Sequence, residues 1–166
     1  MNNTGKKGFT LLEVLTVVVI AALVTMLAVP AYKKQQDKNR YMAASGVLID
    51  LGNGVRMLQE EYPNIPSLTQ TITAAPTIIS SGADEAPTDA NALFNWLYTN
   101  KYVNSFPIDN VAHTYMGYSF KIYTGGTATC GACSGSDSVA CMSGSNLNAQ
   151  YTCAWVDKSG NLHHNS

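Results

Sequence analysis

Charge is scarce in this chain. Of 166 residues, 13% are Asp, Glu, Lys or Arg, against about 25% in an average soluble domain. The net charge is −1. A nucleic-acid-binding domain normally shows a basic face, and neither number suggests one. Histidine is also rare: His113, His163 and His164 are the full set. The last two are expected in a frayed tail, with no acid or nucleophile nearby in a recognisable motif. There is no phosphate loop, no nucleophile elbow and no paired-His zinc pattern. Nothing therefore points to an enzyme or a bound cofactor. Cysteine is missing from the first 129 positions. A disulfide framework can involve only the C-terminal quarter.

The most uneven shortage of charge lies near the N-terminus. Between Val14 and Tyr32 no residue is charged. As a helix this run is about 28 Å long, close to the roughly 30 Å hydrocarbon core of a bilayer. A short polar leader with Lys6 and Lys7 precedes it. Glu13 sits at its front edge, where a carboxylate is costly in lipid and needs a reason. Lys33, Lys34, Lys38 and Arg40 follow, diluted by Asp37, as a solvated helix face or an interfacial anchor. The positive-inside count slightly opposes a cytoplasmic N-terminus. An ordinary signal peptide cut near Leu27-Ala28 would remove the run and release a secreted, disulfide-bonded binding domain.

Beyond Tyr32 the helix is expected to continue. Tyr41, Ala44, Leu48, Leu51, Val55, Leu58 and Tyr62 step by alternating threes and fours, a seam of period 3.5 that reads as one amphipathic face packed on a domain. Gly46, Gly52 and Gly54 each cost about 1 kcal/mol relative to alanine. They either loosen the helix or let another element approach. Pro63 and Pro66 end it. Residues 63–88 read as loop, with a short strand within Thr71 to Ile79. Asp89 to Tyr102 reads as a short helix capped by Thr88 or Asp89. Tyr115 to Tyr123 reads as a strand with Tyr118, Phe120 and Ile122 on one face. Gly125 to Gly144 is a Gly/Ser/Ala-rich stretch that reads as a loop, disordered without crosslinks. Tyr151 to Val156 is a second strand, Asp157 to Asn161 a turn, and Leu162 the start of a short return.

Cys130, Cys133, Cys141 and Cys153 allow three disulfide pairings. Zinc is the competing reading, because Cys130-x-x-Cys133 has ligand spacing, but the second half of that pattern is missing. A thioredoxin-like role would want a βαβ context that is not visible.

The stretch Gly8-Phe9-Thr10-Leu11-Leu12-Glu13 after a short basic leader resembles the class III signal of type IV pilins and type II secretion pseudopilins. The resemblance covers about 25 residues closely. It implies that a prepilin peptidase cuts after Gly8 and methylates the new N-terminal Phe9. It implies that Glu13 pairs with the N-terminal amine of a neighbouring subunit and that Pro30 bends the helix. Ala21 and Ala22 stand where family members often carry glycine, and alanine favours an intact helix.

Further on, Lys101-Tyr102-Val103-Asn104-Ser105-Phe106-Pro107-Ile108-Asp109 looks like the Pro-x-Asp stretch leading into the sheet of many pseudopilins and some simple pilins. The loops after it bind calcium in some of them. Asp109 and Asn110 are two weak oxygen candidates here, far short of the six to eight ligands calcium takes, and a turn is the simpler reading. A cysteine-closed C-terminal region is more like type IV pilins.

The resemblance implies an α+β, pilin-like fold: a long N-terminal helix, transmembrane in its first half, packed on an antiparallel β-sheet. The implied organisation is a leader (1–8), a transmembrane and filament-core helix (9–32), an amphipathic half (33–62) and a globular head (63–166) with the sheet and the cysteine-rich loop. The implied partners are identical or related pilin subunits, the prepilin peptidase, an inner-membrane assembly platform and, before assembly, membrane lipid. The implied location is a single pass of the inner membrane with the head in the periplasm, then a surface pilus or a periplasmic pseudopilus. The sequence leans towards the pilus. No aromatic-basic stripe supports contact with DNA.

Overall fold

A single helix, α1 (Leu11–Glu61), runs for 51 residues and carries Pro30 inside it without ending. The computed structural model describes residues 9–79, 85–125, 129–130, 133–135, 137–144 and 151–164. The chain divides into two compact units, residues 1–36 and residues 37–166.

In the second unit α1 behaves as the seam predicts. Ala44, Leu48, Val55 and Leu58 are fully buried, Leu51 nearly so, and Tyr41 and Tyr62 pack partly buried against the same core. Burying an aliphatic side chain contributes about 1.5–3 kcal/mol. Three glycines in a helix cost about 1 kcal/mol each. Packing therefore outweighs the glycines and holds this half of the helix. Two of them also have a positive use. A Cβ on Gly52 would lie 2.6 Å from Val156 Cγ1, and one on Gly54 would lie 2.4 Å from Val103 Cγ1. At those two positions the helix backbone meets the rest of the head directly. Nothing lies within 4 Å of a Cβ on Gly46.

The sheet beside α1 has five antiparallel strands. They are β1 (Thr69–Ile72), β2 (Tyr118–Tyr123), β5 (Ser138–Gly144), β6 (Cys153–Asp157) and β7 (Leu162–His164), in that spatial order. A separate two-stranded ribbon joins β3 (Thr129–Cys130) and β4 (Cys133–Ser134). Tyr118, Phe120 and Ile122 share the α1 core, as their alternation predicts, with Ala140, Met142, Ala154 and Val156 beside them. Tyr123, Cys130 and Cys141 form a second buried cluster, with Trp155 packed against it. Strand residues alternate between faces, so the sheet carries apolar contacts on both sides.

Between β1 and β2 lies α2 (Leu93–Thr99), preceded by a 3₁₀ turn at Ala90–Ala92. Asp89 caps that turn, its carboxylate accepting from Asn91 N–H at 2.9 Å. The helical stretch stops at Thr99, short of the expected Tyr102, because Lys101 takes a left-handed φ of 63°. Gln70 of β1 ties the two elements together. Its side chain accepts from Phe94 N–H at 2.6 Å and donates to the Asn91 carbonyl at 2.8 Å.

Several expectations need correction. The first strand ends at Ile72 and does not reach Ile79. Thr77 N–H and Ile79 N–H instead donate to the side chains of Asn95 and Thr99. Strand β2 starts at Tyr118, because Met116 and Gly117 turn through positive φ and Tyr115 bridges back to Tyr118. The stretch read as a loop contains the central strand β5. Ser138 to Met142 are all buried there, between β2 and β6. The tail read as frayed is strand β7.

The β6–β7 turn is held by one carboxylate. Asp157 Oδ1 accepts from Ser159 N–H and Asn161 N–H, each at 2.9 Å. Its Oδ2 accepts from Asn161 Nδ2 at 3.2 Å and lies 2.8 Å from His163 Nε2. The His163 ring stacks on Trp155, centroids 5.3 Å apart. His163 is thus a structural residue of the hairpin. With the His163 bond the largest cause, followed by the Asn161 and Ser159 bonds, the Asp157 carboxyl is held down at about 2.

Two predictions follow from this packing. In urea unfolding of the full chain in detergent, Gly52→Ala should lose about 1–3 kcal/mol from overpacking against Val156. In the same assay Gly46→Ala should gain about 0.4–1 kcal/mol; equal effects at the two sites would contradict the packing described. The depressed Asp157 pKa favours the folded state above its unfolded value of about 3.9, and that increment is lost as pH falls from about 4 to about 2. Asp157→Asn should flatten this part of the stability–pH curve; parallel curves for the two proteins would show that the clamp contributes nothing.

Candidate processing and assembly site

The candidate site is the start of α1. Gly8 lies outside the described residues, so the scissile bond itself is not placed. Phe9 is non-helical and 86% exposed. The helix begins two residues later, at Leu11, and Thr10 caps it. Thr10 Oγ1 accepts from Glu13 N–H at 3.3 Å. Glu13 Oε2 accepts from Thr10 N–H and from Thr10 Oγ1–H, each at 2.9 Å. This reciprocal pair is a capping box, which satisfies two of the N–H groups a helix start leaves unpaired. Sequence reasoning missed it, although the signal, Thr10-x-x-Glu13 just before an apolar run, was in view. An acid in the first turn is also favoured by the helix dipole.

The carboxylate at the edge of the apolar run therefore has partners within its own chain. The chain by itself does not present a bare charge there. Any contact between Glu13 and another subunit must compete with, or add to, the Thr10 bonds.

Beyond the cap, every residue from Phe9 to Gln36 is exposed. Leu11, Leu12, Met26 and Leu27 are 70% exposed or more. Among the described residues, α1 is long and apolar enough to cross a membrane. The threonine hydroxyls of the apolar run are satisfied within the helix. Thr16 Oγ1 donates to the Glu13 carbonyl at 2.9 Å and Thr25 Oγ1 to the Ala21 carbonyl at 2.7 Å, as a helix in lipid requires of its polar groups. Helix continues through Ala21, Ala22 and Pro30. Proline lacks the N–H that would donate to Met26, so the backbone bond missing from this ladder falls at that point.

The other predicted residues lie in the head. Cys130 and Cys141 form a disulfide with a Cα separation of 5.9 Å, which removes both as zinc ligands. Cys153 is also disulfide-bonded. Cys133 pairs with Cys130 through the backbone of the β3–β4 ribbon; its side chain lies outside the described residues. The Cys130–Cys141 bond links β3 to β5, and Tyr123 ties β3 to β2. The Tyr123 hydroxyl donates to the Thr129 carbonyl at 2.9 Å and accepts from Thr129 N–H at 3.2 Å.

Asp109 is occupied by its own turn. Its Oδ1 accepts from Val111 N–H at 2.8 Å and Ala112 N–H at 2.9 Å, and these two bonds hold its carboxyl below the usual range. Asn110 follows it in the same exposed turn. Among the described residues, no three His, Cys, Asp or Glu side chains come together as a metal site.

Neither a curated protein nor a solved structure matches the chain. Residues 3–29 match the prokaryotic N-terminal methylation motif, the class III signal peptide of type IV pilins and pseudopilins.

Proposed function

We propose that this chain is a structural pilin subunit, made as a membrane-anchored precursor and assembled through its N-terminal helix into a type IV pilus. The observation that carries this reading is the N-terminal methylation motif leading directly into a helix exposed on every side. Prepilin peptidase cuts between Gly8 and Phe9 and methylates Phe9. The uncharged run holds the subunit in the inner membrane, with the head in the periplasm. Extraction into a filament then buries the same surface against other copies, and apolar burial drives that step. Glu13 sets the register by pairing with the Phe9 amine of a neighbour, and Pro30 lets the helix bend into the core. Such a subunit needs no catalytic centre.

A second reading is a type II secretion pseudopilin, which would build a short periplasmic pseudopilus for protein export. The Phe106-Pro107-Ile108-Asp109 stretch favours it. The disulfide-linked C-terminal region favours the pilus.

Three variants test the processing and assembly steps. Gly8→Leu should leave the unprocessed precursor in the membrane fraction, visible as a band about eight residues heavier; normal processing would count against the assignment. Glu13→Val should be processed and inserted as usual but fail to yield filaments when expressed alone. Thr10→Ala should retain assembly better than Glu13→Val, because it removes a cap of about 1 kcal/mol while sparing the carboxylate. Wild-type filament yield from Glu13→Val would remove that residue from its role.

A further inference from the structure

The membrane half of α1 ends abruptly. Val14 to Tyr32 is uncharged, and Lys33 and Lys34 follow at once. Tyr32 is 69% exposed and both lysines are exposed. The ion pairs among the described residues join Arg56 to Glu60, Lys158 to Asp137 and His163 to Asp157. None of them uses Lys33 or Lys34. Among the described residues these two ammonium groups have no ion-pair partner, at the point where the uncharged run ends.

We infer that Tyr32, Lys33 and Lys34 form a binding site for the headgroup of an anionic phospholipid. The inference rests on the membrane-anchored precursor of the reading above and does not depend on the filament. With the apolar run spanning the hydrocarbon core, Tyr32 falls at headgroup level, where its apolar ring and polar hydroxyl are both accommodated. Lysine stems lie along apolar surface and carry the ammonium outward into the phosphate layer. Two ammonium groups at the same depth, about 100° apart round the helix, select lipids of net negative charge over zwitterionic ones, whose own cation they repel.

Charge also argues against a second copy as the occupant. A parallel neighbour at the same depth would present its own Lys33 and Lys34. From Val14 to Gln36 it offers no carboxylate, and its Asp37 lies one turn farther along the helix, beside its own Lys38 and Arg40. Like charges would face each other until the lipid between them is replaced.

The test is native mass spectrometry of the full processed chain, released from bilayers holding equal amounts of phosphatidylglycerol and phosphatidylcholine. The wild type should retain phosphatidylglycerol over phosphatidylcholine by about thirtyfold, the order expected for two lysines near an anionic surface. Lys33→Gln with Lys34→Gln should bring the ratio to within about twofold of parity. Lys38→Gln with Arg40→Gln, farther along the chain, should keep most of the preference. Equal retention by the wild type would overturn the inference. So would an unchanged preference in the Lys33/Lys34 variant, or a preference lost only in the Lys38/Arg40 variant. A variant that keeps its lipid preference but yields fewer filaments would assign the lysines to a protein contact instead. A chain that stays monomeric and soluble without detergent would remove the membrane reading as well; a membrane-bound chain with no preference removes only the lipid site.

Discussion

An apolar helix surface with nothing of its own chain to cover it is the constraint behind everything else. From Phe9 to Gln36 no residue is buried. Water is a poor solvent for that surface, because exposing apolar area is costly in proportion to its extent. It needs lipid or other helices. In the second unit the same helix changes character. There it buries Ala44, Leu48, Leu51, Val55 and Leu58 in a head with its own core. One helix thus serves two solvents in sequence. Its first half is left open for a partner, and its second half is committed to the fold.

Polar groups on the open half are handled locally. Glu13 accepts from the Thr10 backbone and side chain, and Thr16 and Thr25 return their hydroxyls to backbone carbonyls. A carboxylate at the edge of a membrane is less costly when it is already hydrogen-bonded. The capping box therefore suits a subunit waiting in lipid, and it leaves the acid at the very start of the helix. Intersubunit pairing would draw on a group that is ordered in advance, which lowers the entropy cost of the contact.

Both halves of α1 were legible in the sequence because each rests on a periodic or continuous apolar signal, whereas the α+β, pilin-like class was implied by the resemblance of the N-terminal motif. Tyr118, Phe120 and Ile122 were legible for the same reason. Strand β5 was not. Ser138, Ala140, Ser143 and Gly144 are small or polar, and composition alone reads them as loop. They are strand because β2 and β6 flank them and the Cys130–Cys141 bond anchors them, and both of these are tertiary facts. His163 was misread for a related reason. Its partners, Asp157 and Trp155, lie on the adjacent strand, which only the hairpin brings near. At the candidate site Gly8, Phe9, Glu13 and Pro30 stood out by motif. Thr10 did not, although its spacing from Glu13 announced the cap.

The central claim is that the mature protein begins at Phe9 and keeps the apolar helix. Mass spectrometry of the N-terminal peptide from membrane-extracted protein tests it most directly. The account predicts a mature chain starting at N-methyl-Phe9, with residues 9–32 retained. A chain starting near Val29 would contradict it, because the surface on which the whole reading depends would then be absent from the finished protein.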